Sequence, residues 1–106
     1  MRYLGALRGS GQLLGEAGPI GRVDFEFDGY LMKPGEVVAS GEICMNAGEL
    51  NDAFGRRDLR LQTDDGRLLG VRFSGKRVSS TATTAHADIR GGLPEAKDWR
   101  RSLLQP

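Results

Sequence analysis

The chain has few of the residues that carry covalent or metal chemistry, and it has no long apolar run. One cysteine, Cys44, and one histidine occur among 106 residues, which excludes an internal disulfide and a cysteine-based zinc cluster. The longest aliphatic or aromatic stretches, such as Tyr30-Leu31-Met32, are three residues long. A membrane helix needs about 20 apolar residues and a secretory signal about 7–15. We therefore expect a soluble protein of the cytoplasm, since an unpaired thiol suits that reducing compartment.

Neither an excess of one charge nor an abundance of aromatic residues is present. The chain has 15 basic and 14 acidic residues, and aromatics make up 7%. Nucleic-acid binding typically combines basic groups with exposed aromatics on which bases stack. Because the strand phenylalanines fall on inward positions, only Tyr3, Tyr30 and Trp99 are candidates for exposure. Of these, Tyr30 and Trp99 are the candidate contacts for a partner.

Glycine, by contrast, is abundant, with 16 residues. Turn-forming clusters divide the chain into pieces of roughly 5–11 residues, a spacing typical of antiparallel β proteins. The clusters are Gly9-Ser10-Gly11, Gly18-Pro19, Lys33-Pro34-Gly35, Asp64-Asp65-Gly66 and Gly91-Gly92. They predict an all-β, mainly antiparallel fold, a small barrel or sandwich of about six to seven short strands. We expect one β domain over residues 1–90 and a tail over 91–106 that is a short helix or disordered.

The clearest strand covers residues 22–27. Val23, Phe25 and Phe27 fall on one face and acidic residues fall on the other, which predicts one buried and one solvated face. Pro34-Gly35 fits a type II turn, because proline presets φ at the second position and glycine accepts a positive φ at the third. Residues 36–44 then return as the partner strand.

One short helix is predicted near residues 46–54. Asn46 is a suitable N-cap and Glu49 stands three residues later, as in a capping box. Leu50, Ala53 and Phe54 share one face at helical spacing, and Gly55 suits a left-handed stop. Two turns are marginal alone, so this helix has to pack on the sheet.

A hairpin and a last strand complete the predicted sheet. Residues 59–62 and 69–73 alternate around the turn at Gly66, and residues 85–90 alternate as the final strand. Two weaker strands are predicted over residues 2–7 and 12–16. In the tail, Ala96, Trp99 and Leu103 would line one side of a helix that starts at Pro94.

Basic residues concentrate in the second half of the chain. Residues 1–55 hold 4 basic and 8 acidic groups, and residues 56–106 hold 11 basic and 6 acidic groups. Guanidinium groups bind phosphate and carboxylate in bidentate fashion, so one interpretation is an anion site. The other is cross-strand pairing with Asp24, Glu26 and Asp28. The candidate anion-binding arginines are Arg56, Arg57, Arg60, Arg67, Arg72 and Arg77.

Three functions stay open from the sequence. The first is a non-catalytic binding or self-association module that uses a sheet edge or the Trp99 tail, with a protein partner or a second copy. The second is an anion or nucleic-acid binder that uses the arginine-rich hairpin over residues 56–77. The third is an enzyme in which Asp88 orients His86 on one strand face. No Gly-x-Ser-x-Gly elbow is present, and no metal site or cofactor is indicated, so the binding module is the interpretation that we adopt.

Overall fold

The computed structural model describes residues 1–75 and 78–99. Within them, six antiparallel strands form one sheet, and one helix follows the third strand. The elements are β1 (Arg2–Gly15), β2 (Gly18–Lys33), β3 (Glu36–Met45), α1 (Ala47–Ala53), β4 (Arg60–Thr63), β5 (Leu68–Phe73) and β6 (Thr84–Gly91). The strand order is β1-β2-β3-β6-β5-β4, and β4 pairs back with β1 to close a barrel. The predicted all-β fold is confirmed, and closure decides for a barrel over a sandwich.

The alternation predicted for residues 22–27 is confirmed. Val23, Phe25 and Phe27 are buried, whereas Asp24 and Glu26 are exposed. The strand is longer than expected, since β2 begins at Gly18 and ends at Lys33. A core of aliphatic and aromatic side chains fills the barrel, because every strand sends alternate residues inward.

The turn predicted at Gly9-Ser10-Gly11 is wrong, because β1 runs unbroken through all three residues. Gly11 is buried, and the backbone of β4 takes the space that a side chain there would need, whereas Gly9 is exposed. A Cβ on Gly9 would meet the Phe25 ring at 3.4 Å, and one on Gly11 would collide with the Gln62 carbonyl. Gly11 therefore allows β1 and β4 to pack closely, and neither glycine reverses the chain.

Two of the predicted turns are confirmed by their glycine conformations. Gly35 has φ of +80° directly after Pro34, as a type II turn requires. Gly66 has φ of +96°, and its N–H donates to the Thr63 carbonyl at 3.0 Å. The second turn joins β4 to β5 and so sets the position of the arginine-rich hairpin.

The short helix forms where it was expected. The Asn46 side chain accepts a hydrogen bond from Glu49 N–H at 3.2 Å, and α1 ends at Ala53. Leu50 and Ala53 are fully buried. Phe54 follows and stacks on Phe73, with ring centroids 5.7 Å apart. The helix is therefore held by packing on the barrel, as its length demands.

The chain beyond β6 returns to the barrel core. Residues 96–99 are helical, and Trp99 is fully buried against Gly29. The Trp99 Nε1–H donates to the Pro94 carbonyl at 3.1 Å. Trp99 was expected to be exposed as a partner contact, and that expectation is wrong, because Gly29 leaves room for the ring inside the barrel. Leu103 and the rest of residues 100–106 lie outside the described residues.

Candidate functional site

The outward faces of β2 and β3 form a continuous acidic surface. Asp24, Glu26 and Asp28 alternate along β2, and Glu42 stands on β3. The pairing register places Glu26 directly opposite Glu42. We call these four carboxylates the acidic wall. Like charges directly opposite on neighbouring strands are destabilising, so this arrangement needs a reason other than stability.

Three of the four carboxylates are contacted by β1. Arg8 Nε lies 3.3 Å from Glu26 Oε2, and Ser10 Oγ donates to Asp24. The Tyr3 hydroxyl donates to Asp28 Oδ1 at 2.9 Å, and this hydrogen bond raises the pKa of Tyr3. Within the described residues Glu42 makes no ion pair at 4.0 Å or less. Arg8 is thus the single cation paired with the acidic wall in this part of the chain.

Two tyrosines border the acidic wall at one end. Tyr3 on β1 and Tyr30 on β2 lie opposite each other, with ring centroids 5.4 Å apart. Tyr3 is 54% exposed and Tyr30 is half-buried. Val38, which is also exposed, lies opposite Tyr30 on β3. Tyr30, expected as a partner contact, is therefore part of an apolar strip beside the carboxylates.

The cross-strand pairing proposed for the arginine-rich hairpin does not occur. Because β1 lies between β2 and β4, the carboxylates of β2 face β1 and β3, and they do not face Arg60 or Arg72. Arg72 on β5 lies opposite Asp88 on β6. The carboxylates of β2 therefore do not neutralise Arg60 or Arg72, and the interpretation of the hairpin as an anion site stays open.

The predicted arginine set divides into paired and exposed members. Arg56 makes two hydrogen bonds to Asp58, at 3.0 and 2.8 Å, and Arg67 Nε lies 3.6 Å from Asp65 Oδ2. The exposed members are Arg57, Arg60 and Arg72. Arg77 lies outside the described residues. The structure therefore does not gather the set into one cluster.

His86 and Asp88 are on one strand face, but their contacts differ from those of a catalytic relay. His86 Nδ1 lies 2.7 Å from Ser74 Oγ, and His86 is opposite Glu42 in the register. Asp88 is opposite Ser40 on β3. No hydrogen bond joins Asp88 to His86 within the described residues. A relay requires the carboxylate on the imidazole nitrogen that Ser74 occupies here.

Cys44 is exposed on β3. Its Sγ lies 3.2 Å from Thr84 Oγ1. In the part of the chain that the structure describes, no group of three or more His, Cys, Asp or Glu side chains is placed to hold a metal ion. Nor does this part contain a helix that is long and apolar enough to cross a membrane.

Sequence reasoning missed two outward residues, Glu42 of the acidic wall and Arg90 on β6, whose Cβ lies close to Gly70 on β5. Glu42 was hidden because β3 alternates poorly: the inward position at Gly41 has no side chain, and Val37 and Val38 stand on opposite faces. Arg90 ends the strand predicted over residues 85–90, but nothing in the sequence indicated its neighbours. Reading either residue as part of a site requires the strand order, which the local pattern does not contain.

Comparison of the chain with protein-family models, with curated proteins and with solved structures gave no match. Any function therefore has to be argued from the residues themselves.

Proposed function

We propose that the protein is a non-catalytic binding module whose acidic wall takes a lysine- or arginine-rich segment of a protein partner. The observation that carries this proposal is the direct cross-strand opposition of Glu26 and Glu42. Carboxylates directly opposite each other on neighbouring strands repel each other in the free protein. A cationic side chain placed between them would remove that repulsion on binding.

The surroundings of this carboxylate pair support a cation as the ligand. Arg8 approaches Glu26 from the β1 side, and Glu42 is left without an ion pair within the described residues. His86, which is opposite Glu42, is engaged by Ser74. A surface cavity lined by Glu26, Glu42 and His86 lies at this point, and it could receive a positive group from a partner.

The tyrosines supply the apolar part of the same surface. Tyrosine is enriched among residues that dominate binding energy at protein interfaces, and its ring face attracts ammonium and guanidinium groups. Tyr3 is anchored through its hydroxyl to Asp28, so its ring is oriented before a partner arrives. A peptide lying along the acidic wall would reach Tyr30 and Val38 at its end.

Because the barrel is closed, we place the partner on outward-facing side chains of the strands and not along a free strand edge. Every strand has two neighbours within the described residues, so no whole strand is free to accept another strand along its edge. The Trp99 ring is not exposed and no strand of the described chain has a wholly unpaired edge, since β4 pairs with β1 over Gly11–Leu14, so we place the contact on the outward face of β2 and β3. We further propose a cytoplasmic location, for which the unpaired Cys44 is the support.

The test is binding of a fluorescently labelled oligolysine peptide, followed by anisotropy at low ionic strength. Glu26→Gln and Glu42→Gln should each weaken binding about fivefold, the effect of an exposed ion pair worth about 1 kcal/mol. Glu36→Gln, at an exposed carboxylate that pairs with Lys33 beside the β2–β3 turn, is the matched control. Equal binding by the parent and by the double variant at Glu26 and Glu42 would refute the proposal.

Thermal unfolding provides a second readout with the opposite sign. Glu42→Gln removes a like-charge opposition, so we expect it to raise the melting temperature slightly while it weakens peptide binding. A variant that merely damaged the fold would lower both. Loss of stability together with loss of binding would therefore count against the acidic wall as a recognition surface.

A further inference from the structure

A second charged surface lies on β4, β5 and β6, and its centre is a glycine. Gly70 occupies an outward position of β5, since its neighbours Leu69 and Val71 are buried. Arg60 on β4 is its register partner, and Arg72 stands two residues further along β5. Arg90 on β6 lies on the other side of Gly70, where its Cβ is 3.7 Å from the position that a Cβ at residue 70 would take. We call Gly70 and these three arginines the arginine shelf.

We propose that the arginine shelf binds a phosphate monoester dianion over Gly70. Strands in a sheet lie about 4.8 Å apart, and alternate residues along a strand are about 6.6 Å apart. The three arginines flank Gly70 on β4, β5 and β6, and no side chain projects at that central position. Guanidinium groups hold phosphate oxygens through paired N–H donors, and a monoester at neutral pH carries nearly two negative charges.

The backbone does not require a glycine at this position. Gly70 does not have a positive φ, and the nearest atom to an added Cβ would be Gly91 N at 3.5 Å, an ordinary contact. Glycine within a strand weakens it, since it has no side chain to pack and loses more entropy on folding. A residue that is unfavourable for the strand and unnecessary for packing suits a position where a ligand approaches the backbone closely.

The three arginines of the arginine shelf lack the carboxylate partners that neutralise two other arginines of the chain. Arg56 and Arg22 are held by bidentate contacts to Asp58 and Asp64. Within the described residues, no carboxylate lies within 4.0 Å of a shelf guanidinium. The acid nearest in register is Asp88, opposite Arg72. The arginine shelf therefore keeps an excess of positive charge.

A single phosphoryl group fits this surface better than a nucleic-acid strand does. Sequence-tolerant binding of single strands requires aromatic side chains on which bases stack. The described residues of β4 and β5 expose no aromatic side chain, and Tyr3 and Tyr30 lie with the acidic wall. The three arginines also flank one position, whereas a phosphodiester backbone calls for a row of cations.

The experiment measures binding of phenyl phosphate to the full chain by amide chemical-shift titration. Saturable shifts centred on Gly70 are expected. Arg60→Gln and Arg72→Gln should each weaken binding about tenfold, as for loss of hydrogen bonds to a charged group. Gly70→Glu places a carboxylate among the arginines and should abolish binding, and Gly70→Ala, which fits the fold but puts a methyl group where the ligand approaches the backbone, should weaken it. Arg2→Gln, which removes an exposed charge from β1, is the control, and thermal unfolding checks that each variant is folded.

Two further binding measurements distinguish a phosphopeptide from a nucleic acid as the source of the phosphate. A phosphoserine peptide should bind at least as tightly as phenyl phosphate, and its unphosphorylated form should not bind. A single-stranded oligonucleotide that binds more tightly than the phosphopeptide, with a steep salt dependence, would replace the monoester by a nucleic-acid backbone and so overturn the proposal. Absence of saturable shifts, or unchanged binding in Gly70→Glu, would overturn it too. None of these outcomes depends on the oligolysine test, because the variants are on different strands from the acidic wall.

Discussion

At the scale of single residues, inward-facing glycines decide how closely the parts of the barrel approach. A side chain at Gly41 would collide with the Glu26 carbonyl, and one at Gly29 would penetrate the Trp99 ring, with Cζ2 at 2.6 Å. Neither glycine has a positive φ, so conformational freedom is not the reason for them. Glycine is present at both positions because a side chain would not fit, and the missing side chain at Gly29 leaves room for Trp99 in the core.

The pairing of Gly29 with Trp99 leads to a prediction about stability. Trp99→Ala should cost about 3–5 kcal/mol, because a fully buried ring is lost. Gly29→Ala should cost about 1–3 kcal/mol through overpacking. The double variant should be less destabilised than the sum, since each change relieves the other. Chemical denaturation measures all three.

The control for this cycle is Gly91→Ala. A Cβ at Gly91 would meet nothing within 4 Å, and the residue has no positive φ. Its substitution should therefore change the free energy of unfolding by less than about 0.5 kcal/mol. Strict additivity of Gly29→Ala and Trp99→Ala would contradict the contact.

At the scale of elements, one carboxylate ties the β1–β2 hairpin to the segment before β4. Asp58 accepts two hydrogen bonds from Arg56 and one from the Glu16 backbone N–H at 2.7 Å. The Arg56 guanidinium, together with that N–H, holds the pKa of Asp58 well below its ordinary range. Arg56 is thus a structural residue, which separates it from the exposed arginines of the same hairpin.

The lowered pKa of Asp58 predicts acid sensitivity. The carboxylate binds a proton more readily in the unfolded chain, near its ordinary pKa of about 4, than in the folded protein. Its contribution to stability is therefore complete above about pH 4 and is lost as the pH falls further. Asp58→Asn should lower the melting temperature at neutral pH and reduce its decline on acidification.

Thermal melts of the parent and of Asp58→Asn between neutral and acid pH provide the measurement. Asp52→Asn, which removes the same charge from the exposed side of α1, is the matched control. If Asp58→Asn and the parent lose stability in parallel over the whole acid range, the contacts of Asp58 do not couple folding to protonation.

At the scale of the whole molecule, charge divides around the barrel by strand. Carboxylates dominate the outward faces of β2 and β3, and arginines stand on β4, β5 and β6. This follows from the charge difference between the two halves of the sequence, because the halves occupy different walls of a closed sheet. The two proposed ligands, a cationic segment and a phosphate monoester, therefore address separate surfaces.

The extent of the folded unit is a prediction at this same scale. The sequence indicated a β domain that ends at residue 90, yet Trp99 completes the core. A chain that ends at residue 91 should melt more than about 10 °C below one that ends at residue 99, since it lacks that ring. Equal melting temperatures for the two truncated chains, measured by circular dichroism, would support the boundary at residue 90 instead.

Much of the fold could be predicted because the signals are local. The two-residue alternation of residues 22–27, the glycines after Pro34 and Asp65, and the Asn46 cap each act within a few positions of the chain. The turn wrongly assigned at Gly9-Ser10-Gly11 shows the limit of such signals. A glycine that makes room for a distant group resembles a turn glycine in the sequence.

The sequence by itself determined most of the strand segments, their apolar faces and where the short helix begins, because backbone conformation and side-chain alternation are properties of neighbouring residues. Only the tertiary structure decided that β1 separates β2 from β4, that Glu26 opposes Glu42, and that Arg90 flanks Gly70. The physical reason is that strand order and register depend on pairings between residues far apart in the chain. Both proposed sites consist of such pairings, so they can be identified only from the strand order and register of the closed barrel.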